Sequence, residues 1–247
     1  MKTSSLKTKI LFPVVLLGAA LNTACSVETM GSDEVSPAAV YQNYSVNYYA
    51  DSNTTEYYAQ FRAGGFTGTT LSLSSPSQVT TNGKKMSGKW MLGTYYGASV
   101  SGFQPEARFE WTDNAQKVYV NSVNLKPIGV RLAAATVSAR QPYVVELNVE
   151  GLSSDENVEV SLQQESLGQN EPSRHASAIY SNQRATFSPA ELMKLREGTA
   201  TLLVRRGTSR SLPNATKEGG SISGYYHAPK QGVTIMDVNG QMSLARQ

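Results

Sequence analysis

From Tyr44 the chain alternates. Tyr44, Val46, Tyr48 and Ala50 fall on one side, and Ser45, Asn47, Tyr49 and Asp51 on the other. Successive side chains of a strand point to opposite faces, so a period of two predicts a half-buried strand. Asp51-Ser52-Asn53-Thr54-Thr55 is turn chemistry, and beyond it Tyr57, Ala59, Phe61 and Ala63 alternate with Glu56, Tyr58, Gln60 and Arg62. The two runs predict a hairpin. With Asn53-Thr54 as a two-residue loop, Tyr49 faces Tyr58 on the polar side, beside Asn47, Gln60 and Arg62.

The same pattern repeats along the chain. Shorter strands are expected at Thr70–Leu73, Gln78–Thr80 and Gly93–Val100, with a turn at Asn82-Gly83. Ala107, Phe109 and Trp111 alternate with Arg108, Glu110 and Thr112. A turn over Asp113–Gln116 would return the chain with Val118, Val120 and Ser122 inward and Tyr119 and Asn121 outward. Beyond a small-residue stretch at Ala133–Ala139, strands are expected at Tyr143–Glu150, Asn157–Gln163, Arg174–Tyr180, Arg184–Phe187, Ala200–Val204, Ser221–Ala228 and Gly232–Val238. Polar loops are expected at Glu165–Ser173 and Gly207–Gly220.

One helix is marked. Ser188-Pro189-Ala190-Glu191 has the form of a capping box with proline at the first helical position; Leu192, Met193 and Leu195 give the helix an apolar side, and Gly198 is expected to end it. Many short strands at spacings near ten residues predict an all-β chain of two antiparallel β-sandwiches in tandem, at 40–132 and 133–247.

The segment before Val40 is different. Lys2, Lys7 and Lys9 precede an apolar run from Ile10 to Leu21 that contains Pro13. That run is too short for a ~30 Å hydrocarbon core, and its flanks follow the signal-peptide pattern. Leu21-Asn22-Thr23-Ala24-Cys25 resembles the lipobox of bacterial lipoproteins, although Asn22 stands where an apolar residue is usual. The resemblance implies removal of residues 1–24, a diacylglyceryl anchor on Cys25 and a lipidated flexible tether over 25–39. Cys25 is the sole cysteine, so acylation also accounts for a thiol that has no disulfide partner in the chain. With its strand-rich remainder, the chain resembles an envelope lipoprotein of a Gram-negative bacterium with immunoglobulin-like sandwiches. Ser26-Val27 lacks an inner-membrane retention signal of the Asp type, so the outer membrane is the expected location.

This leader changes the meaning of the charge. The full chain carries 22 basic and 19 acidic residues. All three leader lysines would leave with residues 1–24, giving 22 − 3 = 19 basic against 19 acidic groups. A balanced chain lacks the cationic surplus that nucleic-acid phosphates require.

Catalytic chemistry is sparse. The two histidines, His175 and His227, form no H-E-x-x-H or Cys/His cluster, so no metal site and no cofactor are expected. Gly220-Ser221-Ile222-Ser223-Gly224 places its serines at the wrong offset for a nucleophile elbow. Asp51–Glu56 has the oxygen spacing of half a calcium loop without its glycine or distant Glu. Glu106 and Glu110 flank Arg108 on an outer strand face, which reads as charge pairing. His227 shares an outer face with Ser221, Ser223 and Tyr225. The clearest candidate surface is aromatic: Tyr49 and Tyr58 flanked by amides suit a sugar ring. Tyr119, Tyr95-Tyr96 and Tyr225-Tyr226 are weaker candidates. These features predict a non-enzymatic, membrane-anchored module that binds an envelope protein or a polysaccharide; a glycan hydrolase is the third possibility.

Overall fold

A computed structural model describes residues 29–89, 95–166 and 172–238. The leader, Cys25 and the first residues of the expected tether lie outside the described residues.

In chain order the strands are β1 (Thr29–Gly31), β2 (Val40–Tyr49), β3 (Thr54–Ala63), β4 (Thr69–Ser72), β5 (Gln78–Thr81), β6 (Lys84–Lys85), β7 (Ser87–Lys89), β8 (Tyr95–Ser101), β9 (Glu106–Thr112) and β10 (Val118–Asn124). There follow β11 (Gly129–Leu132), β12 (Thr136–Ser138), β13 (Tyr143–Asn148), β14 (Glu156–Gln164), β15 (Arg174–Ser177), β16 (Ile179–Ser181) and β17 (Arg184–Phe187). A helix α1 (Pro189–Leu192) precedes β18 (Gly198–Thr216), β19 (Gly219–His227) and β20 (Gln231–Met236). The chain is an all-β sandwich protein with one short α-helix among the described residues.

Two cores lie under one sheet. The main sheet runs β1-β4-β3-β2-β19-β18-β14-β15, with β8, β7, β20 and β12 attached alongside. A four-stranded sheet β10-β9-β5-β6 covers its first half, and β11-β13-β17-β16 covers its second. Between the first pair are Tyr44, Tyr57, Phe61, Phe109 and Trp111; between the second are Val145, Leu147, Leu162, Phe187 and Leu202. Tyr226 packs against both.

Strand β18 makes the main sheet continuous. Its far half and β19 form a hairpin that leaves the second core and lays Leu212 and Ile222 into the first. Strand β19 then pairs in parallel with β2 over eight residues, from Gly220↔Gln42 to His227↔Tyr49. Three pairs of the main sheet are parallel (β1/β4, β12/β20 and β19/β2). The polar loop expected at Gly207–Gly220 is therefore mostly strand. Its partner is the first core and not its own neighbourhood, so polar residues on the outer face sufficed.

Three local expectations are corrected. The first hairpin turns over the four residues Ala50–Asn53, with Asn53 in the left-handed region (φ 47°) that asparagine tolerates. Tyr49 pairs with Thr54, and Tyr58 pairs with Ser45. The shift of four residues is even, so every side chain keeps its expected face. In the second hairpin the connection is five residues long, with Gln116 at φ 63°, and Trp111 pairs with Tyr119. That odd shift inverts the return strand: Tyr119, Asn121 and Val123 are buried, and Val118 is exposed. Finally, the expected tether is docked from Thr29. Strand β1 pairs with β4, and Ser32 is buried with its Oγ accepting the Ser74 N–H at 2.8 Å.

The helix starts at its sequence signal but ends at Leu192, and Gly198 opens β18 instead of ending the helix. Ser188 Oγ accepts the Glu191 N–H at 3.2 Å, satisfying one orphan donor of the first turn. The Glu191 carboxylate accepts from Ser177 N at 3.1 Å and pairs with Lys194.

Candidate functional site

The outer face of the main sheet carries the candidate site. Direct register places Thr54, Tyr49, His227, Arg205 and Glu159 side by side on β3, β2, β19, β18 and β14. Neighbouring strands lie ~4.8 Å apart, so this row is roughly 19 Å long. One row further along the strands are Glu56, Asn47, Tyr225, Gly207 and Asn157.

The residues of these rows hold one another. The Tyr49 and His227 rings stack at 4.7 Å with a 19° interplanar angle. His227 Nε2 lies 3.3 Å from Asn47 Oδ1. Tyr225 rises against Gly207, where an added Cβ would come 2.2 Å from the ring. The Arg205 guanidinium sits 4.8 Å from the Tyr225 ring centroid, a cation–π contact. Arg205 Nε and Nη2 donate to Glu159 Oε2 at 2.9 and 2.5 Å.

Beside this cluster opens a trough of about 490 Å³, within the size range of small-molecule sites. Tyr49, His227 and the segment through Lys230 form one wall. Arg205, Glu159, Ser161 and Leu203 form the floor, and His175 with Ser177 on β15 the opposite wall. Asp51 closes the near end, where its carboxylate accepts the Lys230 N–H at 3.1 Å. Asp51 is thus engaged in fixing the rim. No cluster of His, Cys, Asp or Glu suited to a metal ion occurs among the described residues.

Protonation states follow from these contacts. Burial, then the charges of Arg205 and Lys230, hold His227 below the ordinary imidazole range, against an opposing pull from Glu159. Burial and then Glu56 raise the Tyr49 phenol, while Arg205 acts in the other direction. The hydrogen bond from Tyr58 Oη to Glu56 Oε2 (2.6 Å), followed by burial, pushes the Tyr58 phenol up to about 12.

Of the two tyrosines read from the sequence, Tyr49 lines the trough and Tyr58 does not. Tyr58 is 40% exposed and four residues along β3 from the strand position opposite Tyr49, an offset of ~13 Å. The weaker candidate Tyr119 is a core residue stacked on Trp111 at 5.0 Å. The sequence reading gave Arg205 and Glu159 no part in a site and placed His227 on an outer face with Ser221, Ser223 and Tyr225. Alternation put His227 and Tyr225 on one outward face, but only the β19/β2 pairing sets them beside Tyr49. Arg108 and Glu110 form an exposed ion pair, as their spacing suggested.

No family model matches the chain, and no curated protein does. Several solved structures bear a distant likeness, two of them as follows. One is SGBP-B of the Bacteroides ovatus mixed-linkage glucan utilization locus, in complex with a mixed-linkage heptasaccharide. It is 13% identical, over 75% of this chain and 53% of that one, with a TM-score of 0.23. The other comprises the fibronectin(III)-like modules of Clostridium thermocellum CbhA, 9% identical over 84% of this chain and 95% of that one, with a TM-score of 0.26. The chain spans about half the length of SGBP-B. At such scores the likeness carries no functional weight, and the chemistry of the trough has to speak for itself. No helix among the described residues is long and apolar enough to cross a membrane.

Proposed function

We propose that this protein is a non-catalytic binding module of the bacterial envelope, anchored through Cys25, that holds a carbohydrate chain in the trough. The observation that carries this reading is the Tyr49–His227 stack standing beside the Arg205–Glu159 pair. A sugar ring has an apolar C–H face and a polar rim. The C–H face suits the electron-rich face of an aromatic ring, and the hydroxyls suit fixed donors and acceptors a few ångströms away. The trough offers both within one row of paired residues. Its side chains are held by stacking and ion pairing before any ligand arrives, so little ordering entropy opposes binding.

On this reading the units at 40–132 and 133–247 act as one platform, because the shared sheet carries Tyr49 from the first and Arg205 from the second. The lipobox-like leader supplies export and anchoring, with the outer membrane as the location. An envelope protein docking on the same face is the second reading.

The test is binding of the mature chain to immobilised polysaccharides, comparing wild type with Tyr49→Ala and Tyr58→Ala. Tyr49→Ala should lose at least about tenfold in affinity, the equivalent of ~1.4 kcal/mol, while Tyr58→Ala stays near wild type. Equal affinity of wild type and Tyr49→Ala for every bound polymer would refute the assignment. Turnover of a polymer by the purified protein would refute the non-catalytic part. For the anchor, Cys25→Ala should abolish labelling of the cell-expressed protein by a fatty-acid probe.

A further inference from the structure

The charge arrangement in the trough goes further than its shape. A guanidinium has five N–H donors. In Arg205 the bonds to Glu159 use one from Nε and one from Nη2, and Nη1 makes no hydrogen bond among the described residues. The other Glu159 oxygen accepts from Asn157 Nδ2 at 2.9 Å. Glu159 therefore neutralises Arg205 and fixes its orientation without consuming its remaining donors. Tyr225, seated on Gly207, supports the same guanidinium from a second direction.

A bare arginine favours anions, since charge-assisted bonds to carboxylate or phosphate are the strongest it makes. An arginine already paired keeps its directional N–H groups and loses most of that preference. The rest of the trough is also balanced. By count, Arg205 and Lys230 stand against Glu159 and Asp51, although Asp51 accepts the Lys230 backbone N–H and not its ammonium; the other polar lining groups include Ser161, Gln163 and Ser177. A carboxylated or sulfated chain would meet the two carboxylates of Glu159 and Asp51 as well as the two cations, and so would gain little net attraction.

Resting on the carbohydrate reading above, we propose that the trough selects an uncharged polysaccharide, with the free edge of Arg205 donating to a pair of neighbouring hydroxyls. Arg205 is then the specificity-determining residue, and Glu159 is the residue that makes it read hydroxyls in preference to anions.

The experiment measures affinity of the mature chain for neutral polymers (a β-glucan, a xylan, a galactomannan) and for polygalacturonate and alginate. Each is measured at about 20 and about 300 mM NaCl, across which screening of exposed charges rises strongly. Binding to a neutral polymer that changes less than about twofold with salt is the expected result. Tightest binding to a polyuronate, lost at high salt, would overturn the inference and leave the carbohydrate reading standing. Absence of binding to all polymers would overturn both.

A variant adds an independent readout. Glu159→Gln removes the compensating charge and keeps the shape, so affinity for polyuronate should rise about tenfold while that for the neutral polymer falls. If Glu159→Gln changes neither affinity, the role given to the Arg205–Glu159 pair is wrong.

Discussion

Arg206 and Glu156 make the sharpest test of how this fold is held together. The side chains are only 1% and 6% exposed, and Arg206 Nη2 donates to Glu156 Oε2 at 2.9 Å. Arg206 also donates to the carbonyls of Glu150 (2.7 Å) and Gly151 (2.9 Å). Glu156 accepts in addition from Ser153 N and Oγ and from Lys126 Nζ. The pair thus ties the connection at Lys126–Pro127 and the loop at 150–156 to the middle of β18. Replacing Arg206 by Met keeps much of the packing volume and leaves a buried carboxylate and two carbonyls short of donors. Losing one partner of a buried pair costs ~3–5 kcal/mol. For a folded body of about 200 residues each kcal/mol lowers Tm by roughly 2–4 °C, so Arg206→Met should melt roughly 6–20 °C below wild type. The acid limb gives a second measure. Burial alone would raise the Glu156 carboxyl, but hydrogen bonds from Arg206, Ser153 and Lys126 overcome it and bring it down to about 2. A depressed carboxylate adds stability that is complete above its unfolded value and is lost as pH falls through the folded one. A depression to about 2 is equivalent to ~3 kcal/mol, lost between roughly pH 5 and pH 2. Urea unfolding from pH 7 to pH 2 would show this slope in wild type and a flatter one in Glu156→Gln. A loss below about 1 kcal/mol in Arg206→Met, or identical acid slopes for wild type and Glu156→Gln, would refute the reasoning.

Two further outcomes follow from the sheet face. In Gly207→Ala the new methyl would stand 2.2 Å from the Tyr225 ring and 2.4 Å from the Gly224 carbonyl oxygen, so stability should fall by ~1–3 kcal/mol; glycan affinity should fall with it as Tyr225 shifts away from Arg205. His227 is held below its ordinary value by burial, Arg205 and Lys230, against Glu159. Its unfolded form therefore takes up protons first, and stability should decline as pH falls from about 6.5 through the folded value; His227→Gln, compared by thermal melts from pH 8 to pH 5, should lack that decline.

Periodicity carried the fold a long way. Alternation alone places Tyr44, Val46, Tyr57, Phe61, Phe109, Trp111, Val145 and Leu147 inside, where the structure buries them, and Ser188 marks the helix start. Turn lengths were harder to read. Asn53 and Gln116 adopt left-handed conformations in connections longer than expected, and the one extra residue, Lys117, in the second moves Tyr119 from the surface to the core. Long-range pairing left no local trace at all. Tyr49 and His227 are neighbours because β19 lies parallel to β2, and nothing near either residue announces that partner. The candidate site depends on that pairing, which is why Tyr49 could be singled out and Arg205 could not.

The docking of β1 has a bearing on where the trough stands in space. Thr29, Thr70, Arg62 and Tyr41 lie level with one another across β1, β4, β3 and β2. Strands β1 and β2 run the same way, and Tyr49 is eight residues beyond Tyr41, a rise of ~26 Å. With lipid on Cys25, four residues at most ~14 Å long separate the bilayer from that level. The protein would then be a short post and not a body on a long leash. Its trough would be carried at the end remote from the membrane, up to ~40 Å from the lipid, where a polymer approaching from the side away from the bilayer meets it first.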